Sequence, residues 1–369
     1  MIKKLKIASF ITSHGYGHAT RTIAILNEFA RQVESLEISI FCTIPKKFFK
    51  KTLDSVNLKI YPVQTDVGLV QNSPFEHDLN KTITELESFL LFNTPEVSGI
   101  KKKLQNLKPD FILSDISPLG IFLADQLKIP SVLIENFTWD WIYDAYVSKE
   151  PRLIPLRQRL QEIFSYTDLR IQTRPLCKRK KTCPLINPIF RNALEPINST
   201  RSKLGITSEN PIVLITTGGI TQNFDFTNKL ARRDDFTFIV MGKEYERKKT
   251  GNVIFIHSDS SLYFPNIVNI SSIIVGKAGY STISEAWGHN KVFFPVFRTD
   301  FRESNCLKDF IHLEIPGLEI SNEKFQSGDW IFDLNKGFIN SIQLDHNLIK
   351  KNGKSQAVHL ISSWCKSAN

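Results

Sequence analysis

This chain of 369 residues lacks the features that identify several other classes of protein. Its five cysteines, at positions 42, 177, 183, 306 and 365, are scattered, and they show no spacing typical of a zinc site. No segment approaches the roughly 20 consecutive apolar residues of a membrane span. We expect no cleavable leader, because the apolar run after the basic start breaks off at Thr12. Internal repeats and low-complexity segments are also missing. These absences predict a protein of the reducing cytoplasm.

The composition is that of a globular protein with an excess of positive charge. Hydrophobic residues make up 41% of the chain and charged residues 23%, and the length predicts two domains. The formal net charge of +10 favours anionic partners, which include nucleotide phosphates, anionic lipid and nucleic acid. Peripheral contact with the inner face of a membrane therefore stays open.

A stretch in the second half of the chain has the pattern of an anion-binding loop. The apolar run from Ile270 to Val275 predicts a buried strand, which breaks at the glycines of positions 276 and 279. A helix is predicted to begin at Ser281 or Thr282, and its N-terminal N–H groups would face an anion. Glu285 lies one turn into that helix, where a carboxylate can accept hydrogen bonds from a ribose diol. The alternative is that the glycines serve only the turn between strand and helix.

A second glycine loop follows the first predicted strand, residues 5–12. Gly15 and Gly17 lie between that strand and a predicted helix, and a further strand runs from Leu36 to Thr43. This is a βαβ opening. It lacks the six-residue dinucleotide fingerprint, and Glu37 comes too soon to be the ribose acid of such a site. An NAD enzyme is therefore disfavoured.

The most probable chemistry near this loop involves a histidine and a carboxylate. His18 follows Gly17 at the predicted helix start, and Asp115 ends the predicted strand from Phe111, at the edge where parallel strands bind ligands. A carboxylate would hold the imidazole in one tautomer as a general base. His14 is the competing candidate for the key histidine, and Arg21 on the first helical turn is a candidate contact for a diphosphate.

The two halves of the chain predict two doubly wound α/β domains. Residues 1–185 form the first, acceptor-side domain, and the proline-punctuated range 186–204 is predicted as an interdomain linker. Residues 205–350 form a nucleotide-binding domain, in which Thr217-Gly218-Gly219 is a second candidate phosphate cradle. The helix within residues 351–369 is expected to pack back on the first domain.

Three motifs occur in an order that resembles the GT-B glycosyltransferases. They are Gly17-His18-Ala19-Thr20-Arg21, Thr217-Gly218-Gly219 and the stretch from Gly276 to Glu285. The lineage they resemble includes the lipid-linked N-acetylglucosaminyltransferase of peptidoglycan synthesis. The N-terminal segment is also similar to the domain that precedes the kinase in plant arabinokinases. The resemblance implies two Rossmann-like domains facing a central cleft.

The resemblance also implies roles for single residues. Glu285 would bind the donor ribose, with Thr217 to Gly219 across the diphosphate from the helix end. The helix end itself carries Gly279, Ser281 and Thr282, and the neighbouring Lys277 and Tyr280 replace small residues of the peptidoglycan enzyme. Glu303 and Asn305 fall where the family places a polar pair near the donor sugar. Glu303 stands where the peptidoglycan enzyme has glutamine, so the sugar itself stays open.

We therefore expect a metal-independent enzyme of the hexosyltransferase type that needs no cofactor. It would move a sugar from a nucleoside diphosphate donor, a UDP-sugar in the first place, to a hydroxyl acceptor, with His18 as base or orienting group. One alternative is a UDP-sugar hydrolase in which His18 activates water, as in the hydrolase of pseudaminic acid synthesis, which has a similar start. Another is a nucleic-acid-binding protein without catalysis. The acceptor, whether lipid-linked, glycan, small molecule or nucleic acid, stays open, as do the stereochemistry and the oligomeric state.

Overall fold

The chain folds into two compact α/β units. The computed structural model describes residues 2–50, 52–53, 57–73, 76–216, 226–242, 247–257, 262–297, 301–342, 344 and 348–367. The first unit comprises Met1–Ile189 together with Gly353–Asn369, and the second comprises Phe190–Asn352.

The first unit is built on a parallel sheet. Its described strands are β1 (Ile2–Ile11), β2 (Val33–Phe41), β3 (Asn57–Tyr61), β4 (Gln71–Ser73), β5 (Glu76–His77), β6 (Phe111–Asp115), β7 (Ser131–Glu135), β8 (Leu169–Thr173) and β9 (Leu185–Ile186). Seven of them form one parallel sheet in the order β3-β2-β1-β6-β7-β8-β9, and β4 pairs with β5 in a separate two-stranded sheet. The strand order reverses between β1 and β6, where Ile11 pairs with Asp115. In open parallel sheets the crevice at such a reversal binds ligands.

Helices cover both faces of this sheet. Those before the crossing to the second unit are α1 (Tyr16–Gln32), α2 (Lys46–Lys50), α3 (Leu79–Phe89), α4 (Pro95–Leu107), α5 (Pro118–Leu127), α6 (Trp139–Asp144) and α7 (Leu153–Ser165). Local sequence explains where several begin. Asp78, Thr94 and Ser117 each accept a hydrogen bond from a backbone N–H of the first turn, and proline follows the last two.

The second unit has its own, mostly parallel sheet. Its described strands are β10 (Ile212–Thr216), β11 (Thr237–Gly242), β12 (Lys248–Thr250), β13 (Val253–His257), β14 (Ile273–Lys277) and β15 (Val292–Val296). They lie in the order β12-β13-β11-β10-β14-β15, and β12 is the antiparallel strand at one edge. Alternate residues of β10, such as Leu214 and Ile215, enter separate cores on the two faces. Both faces are therefore buried, as in doubly wound folds.

The helices of the second unit flank this sheet. They are α8 (Ile197–Lys203), α9 (Thr227–Leu230), α10 (Phe264–Ile270), α11 (Tyr280–Gly288), α12 (Glu303–Glu314), α13 (Asn322–Ser327) and α14 (Leu334–Ile342), with a 3₁₀ turn over Asp329–Asp333. Ile270 ends α10, and β14 begins only at Ile273. The apolar run predicted as one strand is thus shared between a helix and a strand.

The last helix, α15 (Gly353–Ser367), belongs to the first unit. Its buried residues Ala357, Val358 and Ile361 join the core that contains Ile23 of α1. Among the described residues, no helix has the length and hydropathy needed to cross a bilayer.

The predicted fold class, two doubly wound α/β domains, is confirmed. The range 186–204, which was predicted as a linker, is instead divided between the two units. Its start completes β9 of the first sheet, and the chain passes to the second unit after Ile189. Phe190 and Leu204 lie in the core of the second unit, and α8 packs on α10. Proline residues interrupt the periodicity here, which hides these short elements from a reading of the sequence.

Candidate active site

A buried histidine–carboxylate pair lies at the carboxyl edge of the first sheet. Gly15 begins α1 with a positive φ of 95°, and His18 follows on the first turn. The Nδ1 atom of His18 lies 2.7 Å from Oδ1 of Asp115, the last residue of β6. An ionised carboxylate only accepts hydrogen bonds, so this contact requires a proton on Nδ1, and in the neutral imidazole Nε2 then keeps its lone pair. The structure thus brings together the two residues that the sequence predicts as a pair.

Arg21 completes this pair from within the protein. Its Nε donates to Oδ2 of Asp115 at 2.8 Å, and its Nη1 donates to Oδ1 of Asn136 at 2.9 Å. Thr22 also donates its hydroxyl to Oδ2 of Asp115. Burial opposes ionisation of Asp115, but the Arg21 guanidinium outweighs it and holds the pKa of Asp115 below its ordinary value. The Arg21 side chain is 0% exposed and is directed at Asp115 and Asn136, and its contact with a diphosphate stays a prediction.

His14 lies beside this pair in the loop after β1. Its backbone N–H donates to the hydroxyl of Thr12 at 3.3 Å, and its ring meets that of Trp139 edge to face with centroids 5.2 Å apart. Gly68 has a positive φ of 69°, and a Cβ there would lie 2.5 Å from Nδ1 of His14. His14 is thus half-buried, and it contacts residues that follow three different strands.

Asp66 is a buried acid of this edge that the sequence analysis did not identify. It follows β3 and accepts a hydrogen bond from Nε1 of Trp139 at 2.7 Å. Burial raises the pKa of Asp66 to about 6, although hydrogen bonds from Thr12 and Trp139 oppose the rise. The position of Asp66 in the sequence could have indicated a site residue. Asp66 follows the end of a strand, and Asp115, which was predicted as a site residue, ends a strand. Asp66 was overlooked because residues 66–78 resemble an exposed polar loop.

In the second unit, a glycine-bounded turn connects β14 to α11. Gly276 has a φ of 147°, and a Cβ there would lie 1.8 Å from the carbonyl oxygen of Thr216 on the neighbouring β10. Gly279 is the N-cap of α11 and has no side chain to cap the first turn. The N–H groups of a helix start favour an anion. The predicted loop and helix start are thus present in the structure.

The other predicted donor residues take different positions around this turn. Lys277 ends β14, Tyr280 and Thr282 are buried, and Ser281 is half-buried. Glu303 and Asn305 lie on the first turn of α12, the helix that follows β15. The predicted phosphate cradle Thr217-Gly218-Gly219 lies outside the described residues.

Glu285 is buried and paired within the second unit. Its Oε1 accepts a hydrogen bond from Nε of Arg191 at 2.7 Å, and Arg191 also lies over the ring of Tyr263. Oε2 of Glu285 is buried and has no hydrogen-bond partner within the part of the chain that the structure describes. Burial raises the pKa of Glu285 above its ordinary value, although Arg191 opposes the rise. The sequence analysis missed Arg191, since it lies 94 residues before Glu285 in the range predicted as a linker.

Comparison with known proteins extends these observations. No family model matches the chain. It is 25% identical over 332 residues to L-arabinokinase of Arabidopsis thaliana, a match that covers 89% of this chain and 32% of the relative. The chain thus spans about a third of that relative's length. An uncharacterised glycosyltransferase of Methanosarcina acetivorans is 24% identical over 335 residues, 82% of each chain.

Solved structures with the same architecture are glycosyltransferases. Spinosyn forosaminyltransferase matches with a TM-score of 0.65 and 15% identity over 98% of this chain and 99% of its own. Glycosyltransferase VinC in complex with dTDP matches with a TM-score of 0.64 and 12% identity over 98% of this chain and 100% of its own.

The chain therefore has the fold of the GT-B glycosyltransferases. Relatives of this chain carry the name glycosyltransferase, which supports the prediction that the chain is an enzyme. The peptidoglycan lineage that the motifs resemble is not shown by these comparisons.

Proposed function

We propose that this protein is a glycosyltransferase that moves a sugar from a nucleoside diphosphate to a hydroxyl acceptor. The observation that carries the proposal is the buried His18–Asp115 pair at the carboxyl edge of the first sheet, on a GT-B fold. A histidine oriented by an acceptor-only carboxylate is the arrangement of a general base.

In this mechanism the acceptor hydroxyl gives its proton to Nε2 of His18. The oxygen of the acceptor hydroxyl forms a bond to the anomeric carbon of the donor, while the bond from that carbon to the diphosphate oxygen breaks. Asp115 holds the Nδ1 proton and stabilises the imidazolium that forms. Arg21 fixes Asp115, so the base keeps its orientation during the transfer.

The donor side of the proposal rests on the second unit. The N-terminal N–H groups of α11 would stabilise the negative charge of the leaving diphosphate, which assigns to the helix end a task that a metal performs in other enzymes. The buried Oε2 of Glu285 would accept a hydrogen bond from a ribose hydroxyl. UDP is the first candidate nucleotide, and dTDP is the second, because it is bound by the structural neighbour VinC.

A calorimetric panel of UDP, dTDP, GDP and ADP tests the donor site. A ligand that binds only the folded state stabilises it by about 2.7 kcal/mol at a hundredfold excess over Kd. We expect one diphosphate to raise the melting temperature selectively. Glu285→Gln should weaken that ligand about tenfold or more, since one charge-assisted hydrogen bond is lost. Unchanged affinity of this variant for the diphosphate would show that Glu285 is not part of the donor site.

Turnover measurements with the matching sugar nucleotide test the base. His18→Ala should lose at least about a hundredfold in turnover while nucleotide affinity stays unchanged. His359→Gln, an exposed histidine on α15, is the matched control. Release of free sugar without any acceptor at the full rate would instead identify a hydrolase. No stabilisation by any diphosphate would contradict the proposed function.

A further inference from the structure

We propose that Asp66 is a positioning residue for His14, which makes His14 the second carboxylate-supported histidine of the first unit. Asp66 supports His14 through Thr12 and Trp139, whereas Asp115 contacts His18 directly. The assignment of this edge to the acceptor rests on the proposed function. The placement of His14 by Asp66 does not, and it can be tested separately.

Hydrogen bonds connect Asp66 to the backbone of His14. The hydroxyl of Thr12 donates to the Asp66 carboxylate, and the same hydroxyl oxygen accepts the backbone N–H of His14. A hydroxyl has a single proton to donate. Because Asp66 accepts that proton, the Thr12 oxygen presents its lone pairs to His14. The carboxylate thereby determines which way the hydroxyl is oriented.

Aromatic packing connects Asp66 to the side chain of His14. Nε1 of Trp139 donates to Asp66, and the ring of Trp139 meets His14 edge to face and stacks on Tyr143 at 6.0 Å. Tyr143 in turn donates its hydroxyl to the carbonyl of Gly68, the residue that lies against His14 Nδ1. The imidazole thus contacts two groups, Trp139 and Gly68, that are both fixed around Asp66.

The cost of burying Asp66 argues for a role beyond packing. Its side chain is buried, and no cation among the described residues contacts it directly. A buried carboxylate without such a partner is expensive compared with an apolar side chain. The charged and titratable groups around it are His14 in the loop after β1, His18 on α1, Asp115 at the end of β6 and Tyr143 on α6. Trp139 also packs on Phe137, which meets the His18 ring edge to face. The same carboxylate therefore supports the surroundings of both histidines.

Nuclear magnetic resonance of the full chain with ¹³C-labelled histidine tests this placement. The probe is the imidazole cross-peak of His14, assigned through His14→Gln, and no ligand is needed. Asp66→Asn should displace that cross-peak, because it removes the charge and replaces one of the two acceptor oxygens around Thr12 and Trp139 by an N–H₂ donor. The cross-peaks of His257 and His289, which lie in the second unit, should stay in place.

A pair of variants at Thr12 makes the test independent of whether the Asp66→Asn variant folds. Thr12→Val removes the hydroxyl at equal volume and should displace the His14 cross-peak, whereas Thr12→Ser keeps the hydroxyl and should leave it near the wild-type position. Trp139→Phe should displace it as well, because the N–H donor is lost. An unmoved His14 cross-peak in both Asp66→Asn and Thr12→Val would overturn the proposal.

Kinetics then connect the placement to the reaction. With a sugar nucleotide that the enzyme turns over, Asp66→Asn and Thr12→Val should lower kcat about tenfold, while donor affinity and the Thr12→Ser rate stay unchanged. A loss of melting temperature with unchanged kcat would show a purely structural role and contradict the proposal. If no sugar nucleotide is turned over at all, the proposed function fails, and the resonance experiment still decides whether Asp66 positions His14.

Discussion

Asp115→Asn should be among the most destabilising single substitutions in the first unit. Asp115 is 1% exposed and accepts hydrogen bonds from Arg21, His18 and Thr22. An asparagine offers one acceptor oxygen and turns an N–H₂ group towards these donors, so the buried Arg21 charge loses its partner. Breaking a buried ion pair from one side costs about 3–5 kcal/mol. At about 2–4 °C per kcal/mol for a domain of this size, the melting temperature should fall by about 6–20 °C.

The assay is calorimetry and urea unfolding of the full chain, with two controls. Glu37→Gln breaks the Lys4–Glu37 pair, which has a separation of 2.7 Å but is partly exposed, so it should cost less than about 1 kcal/mol. The double variant Arg21→Met with Asp115→Leu replaces the buried pair by apolar side chains. It should recover most of the stability and still lack turnover.

The pH dependence of this effect has a definite sign. The pKa of Asp115 is lower in the folded state than its ordinary value, so its stabilising contribution is present above the unfolded pKa of about 3.9 and is lost as the pH falls through the folded value. The difference between wild type and Asp115→Asn should therefore persist from pH 7 to about pH 4 and shrink below it. A loss of melting temperature no larger than that of Glu37→Gln would refute the reasoning.

Two further predictions concern stability. Burial raises the pKa of Asp66 to about 6, so its ionisation costs stability as the pH rises from its unfolded pKa near 4. The free energy of unfolding of wild type relative to Asp66→Asn should fall by about 2 kcal/mol between pH 4 and pH 7 in urea titrations, and a constant difference would contradict this. Gly276→Ala places a Cβ 1.8 Å from the Thr216 carbonyl oxygen and should cost about 3 kcal/mol or more in the same assay. Gly99→Ala on α4, where a Cβ meets nothing within 4 Å, is its control and should be neutral or stabilising; equal effects of the two would refute the steric argument.

Where strands and helices follow strong local patterns, the sequence was sufficient to predict them. Residues 111–115 form the predicted strand, because an apolar run that ends on a carboxylate leaves little alternative. The His18–Asp115 pair could be predicted because both residues end or follow parallel strands. The rule that ligands bind at that edge needs no knowledge of the distant contacts.

Other parts of the site depend on contacts that no local pattern reveals. Arg191 meets Glu285 only after the second unit has folded, and nothing near Arg191 indicates an acidic partner. Arg21 resembles a ligand-binding residue by its place on the first turn of α1, and only the packed structure shows that Asp115 and Asn136 enclose it. Asp66 lies in a segment without periodicity, so its burial follows from tertiary packing alone.

The return of α15 to the first unit makes the second unit an insertion within the first. The ends of the insertion lie together, because Asn352 donates to the carbonyl of Phe190 at 2.8 Å, and Gly353 donates its N–H to the carbonyl of Pro188 at 3.0 Å. Residues 190–352 thus form one continuous segment with adjoining termini, a form suited to excision or to exchange with the corresponding segment of a relative. The first unit would need only a short peptide from Ile189 to Gly353 to be closed again. The His18–Asp115 pair belongs to the first unit and the turn from β14 to α11 belongs to the second, so an exchange of the segment would replace one of these regions and leave the other unchanged.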